Sequence, residues 1–196
     1  MSDRNDTGAG STDDAGSPNA ELPVQPPLTA EEARVLGCLI EKESATPEAY
    51  PLTQNACQTA CNQKTSRNPV MQLTPGEAGH TVNQLRDRGL VRASFHGRAE
   101  RYEQRLSNRL ELDLQAAAAL CVLMLRGPQT LGEIRTNSAR LAEFPDLGAV
   151  NDTLELLMAR EPALVQRLPR ATAPCTRARP TVPASPSDHL PTPPQR

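Results

Sequence analysis

Tryptophan is absent from the 196 residues, and only two phenylalanines and two tyrosines occur, so an aromatic-lined pocket for a small substrate would be hard to build. Histidine is nearly as scarce. His80, His96 and His189 fall on a helix face, in a turn and in a Pro-rich tail, which suggests no Ser/His/Asp or Cys/His pairing. There is no Gly-rich phosphate loop, no His-Glu-x-x-His and no Cys-x-x-Cys. No stretch reaches the roughly 18 apolar residues a spanning helix needs, and no basic segment followed by an apolar one opens the chain. These absences lead to the expectation of a cytoplasmic, non-enzymatic protein with no cofactor, no metal and no small-molecule substrate.

Five cysteines, Cys38, Cys57, Cys61, Cys121 and Cys175, make an odd and loosely spaced set. Three of them lie within helical apolar patterns, which suits reduced thiols better than a disulfide framework. Cys57 and Cys61, four apart on one helix, offer two sulfurs to a metal with His80 as a conceivable third ligand, but cysteine serving as a small core residue is the expected role.

Charge is distributed unevenly about a net of −2. Residues 1–27 hold one Arg against five acids, whereas residues 28–110 hold eleven Lys/Arg against nine acids, so only the first folded half leans basic. The two ends are poor in apolar residues, and residues 171–196 contain seven of the nineteen prolines. Such segments cannot bury enough apolar surface to offset their ordering entropy. We therefore expect a disordered acidic tail over 1–27 and a disordered Pro-rich tail over 171–196, with the folded region between them.

Leu28-Thr29-Ala30-Glu31-Glu32 opens that region with a capping box, and Val35, Leu36, Leu39 and Ile40 follow as an apolar stripe running toward Glu43. Pro51-Leu52-Thr53 starts a second helix through about Gln63. Thr74-Pro75-Gly76-Glu77 starts a third, with Ala78, Val82 and Leu85 on its buried face and Gly89 at its end. The period then changes: 90–94 and 100–105 read as strands joined by a turn. Three helices and a β-hairpin are the order of a winged helix-turn-helix.

A shift of 84 residues repeats this unit. Asp113 falls on Thr29, Leu120 on Leu36, Leu123 on Leu39 and Met124 on Ile40. Thr130 then caps a second helix and Asp146 a third, in which Val150, Leu154 and Leu157 reproduce the spacing of Ala78, Val82 and Leu85; a strand over 163–168 is expected after it. The reading is an α+β, mostly helical chain with winged-helix domain 1 over 28–110 and winged-helix domain 2 over 111–170.

The run Leu39-Ile40-Glu41-Lys42-Glu43, Thr46-Pro47, Tyr50-Pro51-Leu52 and Ala60-Cys61-Asn62-Gln63-Lys64, with Arg67 and Pro69-Val70, resembles the YceH-like family of uncharacterised bacterial proteins. In the second half, 125–130 and 164–170 resemble the same family. The resemblance implies a tandem winged-helix fold over 28–170 and supplies no activity, hence no catalytic residues. Where the family has a return strand after Arg170, this chain has a Pro-rich run, leaving 164–168 as an edge without a partner. A frameshift or sequencing error beyond codon 170 would produce that replacement, and resequencing with translation of the other frames tests it.

Duplex DNA is the expected partner of the first domain. With Ala78, Val82 and Leu85 buried, the third helix points Glu77, His80, Asn83, Gln84 and Asp87 outward. Asn and Gln read bases, and such a helix enters the major groove. Lys64, Arg67 and Asn68 before the helix, with Arg92, Arg98, Arg101 and Arg105 in the wing, are candidate phosphate or minor-groove contacts. The second domain turns Asp152, Glu155, Leu156 and Ala159 outward without a cation, which suits a protein partner or a homodimer. The alternative is a tandem winged-helix scaffold that binds only proteins.

Overall fold

The computed structural model describes residues 27–96 and 99–169. The expected tails therefore lie outside the described residues, apart from Pro27.

Each main helix of the first repeat begins where a short polar side chain satisfies its open N–H groups. Helix α1 (Ala30–Ala45) starts at Thr29, whose hydroxyl accepts from Glu32 N at 3.2 Å while the Glu32 carboxylate accepts from Thr29 N at 2.8 Å. A 3-10 turn (Pro47–Ala49) and strand β1 (Leu52–Thr53) follow, then helix α2 (Gln54–Cys61), capped by Thr53. Helix α3 (Pro75–Asp87) repeats the capping box with Thr74 and Glu77, and Gly89 leaves it at a positive φ of 69°, a conformation glycine adopts without strain. Strands β2 (Val91–His96) and β3 (Ala99–Gln104) form the hairpin, and a short helix, α4 (Leu106–Arg109), leads out.

The expected start of α2 at Pro51 is corrected. Leu52 and Thr53 pair with Tyr102 and Arg101, which makes a three-stranded antiparallel sheet in the order β1-β3-β2. Leu52, Tyr102, Gln104 and Val91 are buried on its inner face, against Leu36, Leu39, Val82 and Leu85. Two neighbouring residues thus serve a strand and then a helix cap, a change of role too short for periodicity to register.

The second repeat has helices α5 (Leu114–Arg126), α6 (Leu131–Ser138) and α7 (Leu147–Met158), capped by Asp113, Thr130 and Asp146. Its core gathers Ala119, Val122, Ile134, Phe144, Val150 and Leu157. The strand expected over 163–168 is corrected: those residues hold no regular structure, although Leu164 N still bonds Leu157 O at 3.0 Å. A lone segment leaves its backbone groups without a ladder, so among the described residues only the first repeat carries a hairpin. The chain is α+β and mostly helical, and the first repeat is compatible with the winged-helix arrangement.

Both repeats lie in one compact unit that ends at Gln166; residues 167–169, which begin the other unit, carry no regular structure. Every residue from Arg34 to Ile40 is buried, and so is every residue from Ala116 to Val122, rather than one stripe of each helix. The reason is that α1 and α5 pack on one another as well as on their own repeats. Their contact is reciprocal. Gly37 and Cys121 are equivalent under the 84-residue shift, and so are Glu41 and Leu125. The Cys121 thiol donates to Gly37 O at 3.2 Å and also lies against the Glu41 backbone, while a Cβ at Gly37 would sit 2.9 Å from Leu125. Equivalent positions meeting each other is the mark of an isologous interface, so the two repeats pair as the halves of a two-fold dimer do, within a single chain.

Candidate nucleic-acid interface

Helix α3 buries Ala78, Val82 and Leu85 completely and leaves Glu77, His80, Asn83, Gln84 and Asp87 exposed. Its position relative to α2 depends on a tight polar turn. Asn62 Nδ2 donates to Leu73 O at 2.8 Å and its Oδ1 accepts from Leu73 N at 2.7 Å, while Gln58 Nε2 donates to the same carbonyl at 3.0 Å. Gln54 Nε2 donates to Pro75 O at 2.9 Å across Gly79, where an added Cβ would come within 2.5 Å of that amide. Gln54, Gln58, Asn62 and Gly79 are therefore the residues that aim α3. Sequence reasoning passed over them, and the Gln-x-x-x-Gln-x-x-x-Asn spacing on one face of α2 was the available signal.

The cations divide into three groups. Arg92 and Arg105 stand at the surface, with side chains 63% and 45% exposed, and each lies within 4 Å of Glu103, at 3.6 and 3.9 Å. Arg101 shares the hairpin face of Arg92, because Arg92 opposes Glu103 and Ser94 opposes Arg101 in the ladder. It is partly engaged, donating to Pro51 O at 2.8 Å, so it also ties β3 to the β1 side. Two guanidinium groups thus flank the Glu103 carboxylate, and a third, Arg101, lies on the same face. Lys64 is exposed in the α2–α3 connection, and Arg98 lies outside the described residues.

Arg67 is a correction. Its side chain is fully buried, pairs with Glu41 at 2.5 Å, and donates to Ala60 O at 3.2 Å, Ser66 O at 3.0 Å and Gln63 Oε1 at 3.0 Å. Burial by itself would lower its pKa; the bond and charge of Glu41 outweigh this and the net shift is upward. Such a group holds the loop to α1 and does not reach a phosphate. Asn68 is exposed, but its N–H bonds Leu125 O at 2.9 Å and its amide donates to Arg126 O at 3.3 Å, so it ties the loop to α5.

Arg86 was not among the expected residues. It sits in the last turn of α3, 3.6 Å from Glu100 and 3.9 Å from Asp87, and connects α3 to the hairpin. Acidic groups remain on the same helix. The Glu77 carboxyl is held below its usual range by the Thr74 N–H and hydroxyl, so it stays charged at the helix N-terminus.

The metal alternative does not assemble, since Cys57 and Cys61 are buried whereas His80 is exposed. Among the described residues no group of three or more His, Cys, Asp or Glu is placed to hold a metal ion. No helix among them is long and apolar enough to cross a membrane. On α7, Asp152, Glu155 and Leu156 are exposed, Leu156 by 67%, as is Ala159 at its C-cap.

These features define an α+β protein of two helical repeats, the first compatible with a winged-helix arrangement and carrying a polar third helix beside an arginine-bearing hairpin. Residues 28–174 match the family described as "Protein of unknown function, DUF480", and the chain belongs to it. It is 54% identical over 147 residues to a UPF0502 protein of Xanthomonas campestris pv. campestris (strain 8004), covering 75% of this chain and 65% of that one. It is 52% identical over 143 residues to a UPF0502 protein of Pseudomonas aeruginosa (strain LESB58), covering 73% and 64%, and 49% identical over 154 residues to one of Stenotrophomonas maltophilia (strain K279a), covering 79% and 70%. The chain thus spans about two thirds of the length of the curated relatives it matches.

Proposed function

We propose that the first repeat binds duplex DNA as a cytoplasmic, non-enzymatic regulator-like factor without a cofactor, and that the second repeat makes a protein contact. The observation that supports the DNA reading is the exposed set His80, Asn83 and Gln84 on α3, joined through Arg86 and Glu100 to a hairpin whose surface carries Arg92, Arg101 and Arg105. Side-chain amides suit base edges, and guanidinium groups suit phosphates. Binding to unspecific duplex by the full chain should weaken as salt rises. With Lys64, Arg92 and Arg105 changed to Ala, the log–log slope should fall by about 0.9 per lost phosphate contact. No binding at low salt, or an unchanged slope in the triple variant, removes this reading.

The second reading, a scaffold for proteins alone, is favoured by α7. Asp152 and Glu155 on its outward face oppose a polyanion, and Leu156 offers an apolar side chain to a partner. A scaffold would be indifferent to salt and to the hairpin arginines.

A further inference from the structure

The DNA reading uses the hairpin for its arginines and leaves its most prominent side chain without a role. Phe95 is 78% exposed, more than any other large apolar residue among those described. The chain has little aromatic surface to spare, and the rest of it is committed to the interior. Tyr102 and Phe144 are buried, and Tyr50 packs against the core with its hydroxyl accepting from Gln104 N at 2.6 Å. Alternation places Phe95 on the hairpin face of Val91 and Ala93, opposite to the face of Arg92 and Arg101. At Val91 that face rests on the core, but at Phe95, next to the last pair of the ladder (His96 with Ala99), it has run past it. Across the ladder stands Glu100, whose carboxylate is already engaged by Arg86 of α3 at 3.6 Å and by the Tyr102 hydroxyl at 2.7 Å. The ring thus adds little buried area to the hairpin, and it projects on the side turned toward the last turn of α3.

Resting on the DNA reading above, we infer that Phe95 is an apolar wedge that enters the minor groove beside the major-groove turn taken by α3, where it partly unstacks one base step and kinks the duplex. Apolar side chains inserted between base pairs act in this way, offsetting the cost of unstacking with the closer wrapping that a bent duplex permits. Arg92 and Arg101, on the opposite hairpin face, are placed for the phosphates that wall such a groove. The isolation of the ring favours a base step over a protein surface. The other exposed large apolar residues, Val70, Leu114, Leu147, Leu156 and Leu168, all lie off the hairpin, so Phe95 is not part of a contiguous apolar patch on it. A protein interface builds its core from such a patch, whereas a base step accepts a single side chain.

The test titrates the full chain into a short duplex of TA steps, which deform at low cost, with 2-aminopurine replacing adenine. Its emission rises when stacking is lost. Binding should raise the emission. Phe95→Ala, checked for folding by circular dichroism, should abolish the rise and weaken binding about tenfold, the effect of losing one base–aromatic contact. Its salt slope should match the parent's, because no phosphate contact is removed. Phe95→Leu, which keeps an apolar wedge, should retain the rise. Salt-dependent binding without a rise in emission overturns the wedge and leaves the DNA reading standing, as does a rise that persists in Phe95→Ala. No binding at low salt removes both.

Discussion

The two repeats share helix spacing and capping chemistry, yet they stabilise their interiors differently. The first places Arg34, Arg67 and Gln104 inside, each donating to carbonyls or a carboxylate, with Glu32 accepting from Arg88, and closes with three strands. The second relies on apolar packing around Ile134, Val150 and Leu157, with Ser138 bonded back to its own helix, and has no strand among its described residues. Buried polar groups restrict how a chain can pack because each must meet its partner. In the first repeat those partners lie on α1, at the end of α2, in the α2–α3 loop and just after α3, so the network ties these elements together. Among its described residues the second repeat has no hairpin to position and no comparable network.

The comparison is broken most strongly at Arg67. Arg67→Met leaves Glu41 and several carbonyls without a donor and should cost about 4 kcal/mol in urea unfolding, with the first repeat lost before the second. An effect below about 1 kcal/mol, the range of a surface pair, would mean the network is not what orders that repeat. Next comes the shared interface. Gly37→Leu drives a side chain into Leu125 and should cost about 2 kcal/mol, destabilising both repeats together because α1 and α5 each cover the other. Loss of only one repeat in hydrogen exchange would show that the interface does not couple them.

Thr74→Ala and Thr130→Ala remove matching caps from α3 and α6, and each should cost about 1 kcal/mol in thermal unfolding. Equal losses would show that local capping is insensitive to the wing. The smallest effect is one of pH. Glu77 and Glu133 are both held below their ordinary range by their cap backbone and then by its hydroxyl. A carboxylate depressed in the folded state stabilises above its unfolded range and loses that contribution as pH falls through the folded value. Helicity should therefore decline modestly as pH falls below the ordinary carboxylate range, and less so in Glu77→Gln, which keeps an acceptor without a charge.

Much of this was legible in the residues. All five helix starts at Thr29, Thr74, Asp113, Thr130 and Asp146 stand where the capping residues put them, and Ala78, Val82 and Leu85 are buried as their spacing predicts. His80, Asn83 and Gln84 followed from that same spacing. Arg67 did not: among Lys64, Arg67 and Asn68 in one polar loop, nothing local distinguishes the cation that turns inward to Glu41. The turn that aims α3 was missed because Asn62 and Leu73 meet only once the loop between them folds back.

What the sequence determined by itself is the set of helices and the face each buries, since a cap acts across four residues and amphipathicity across a few turns. Tertiary structure alone decided which polar residues are desolvated. It buried Arg34 and Arg67, enclosed the middle turns of α1 and α5, gave Leu52 and Thr53 a strand partner about fifty residues away, and left 163–168 without one among the described residues. Desolvation and ladder pairing depend on what arrives from elsewhere in the chain, and no window of local sequence contains that information.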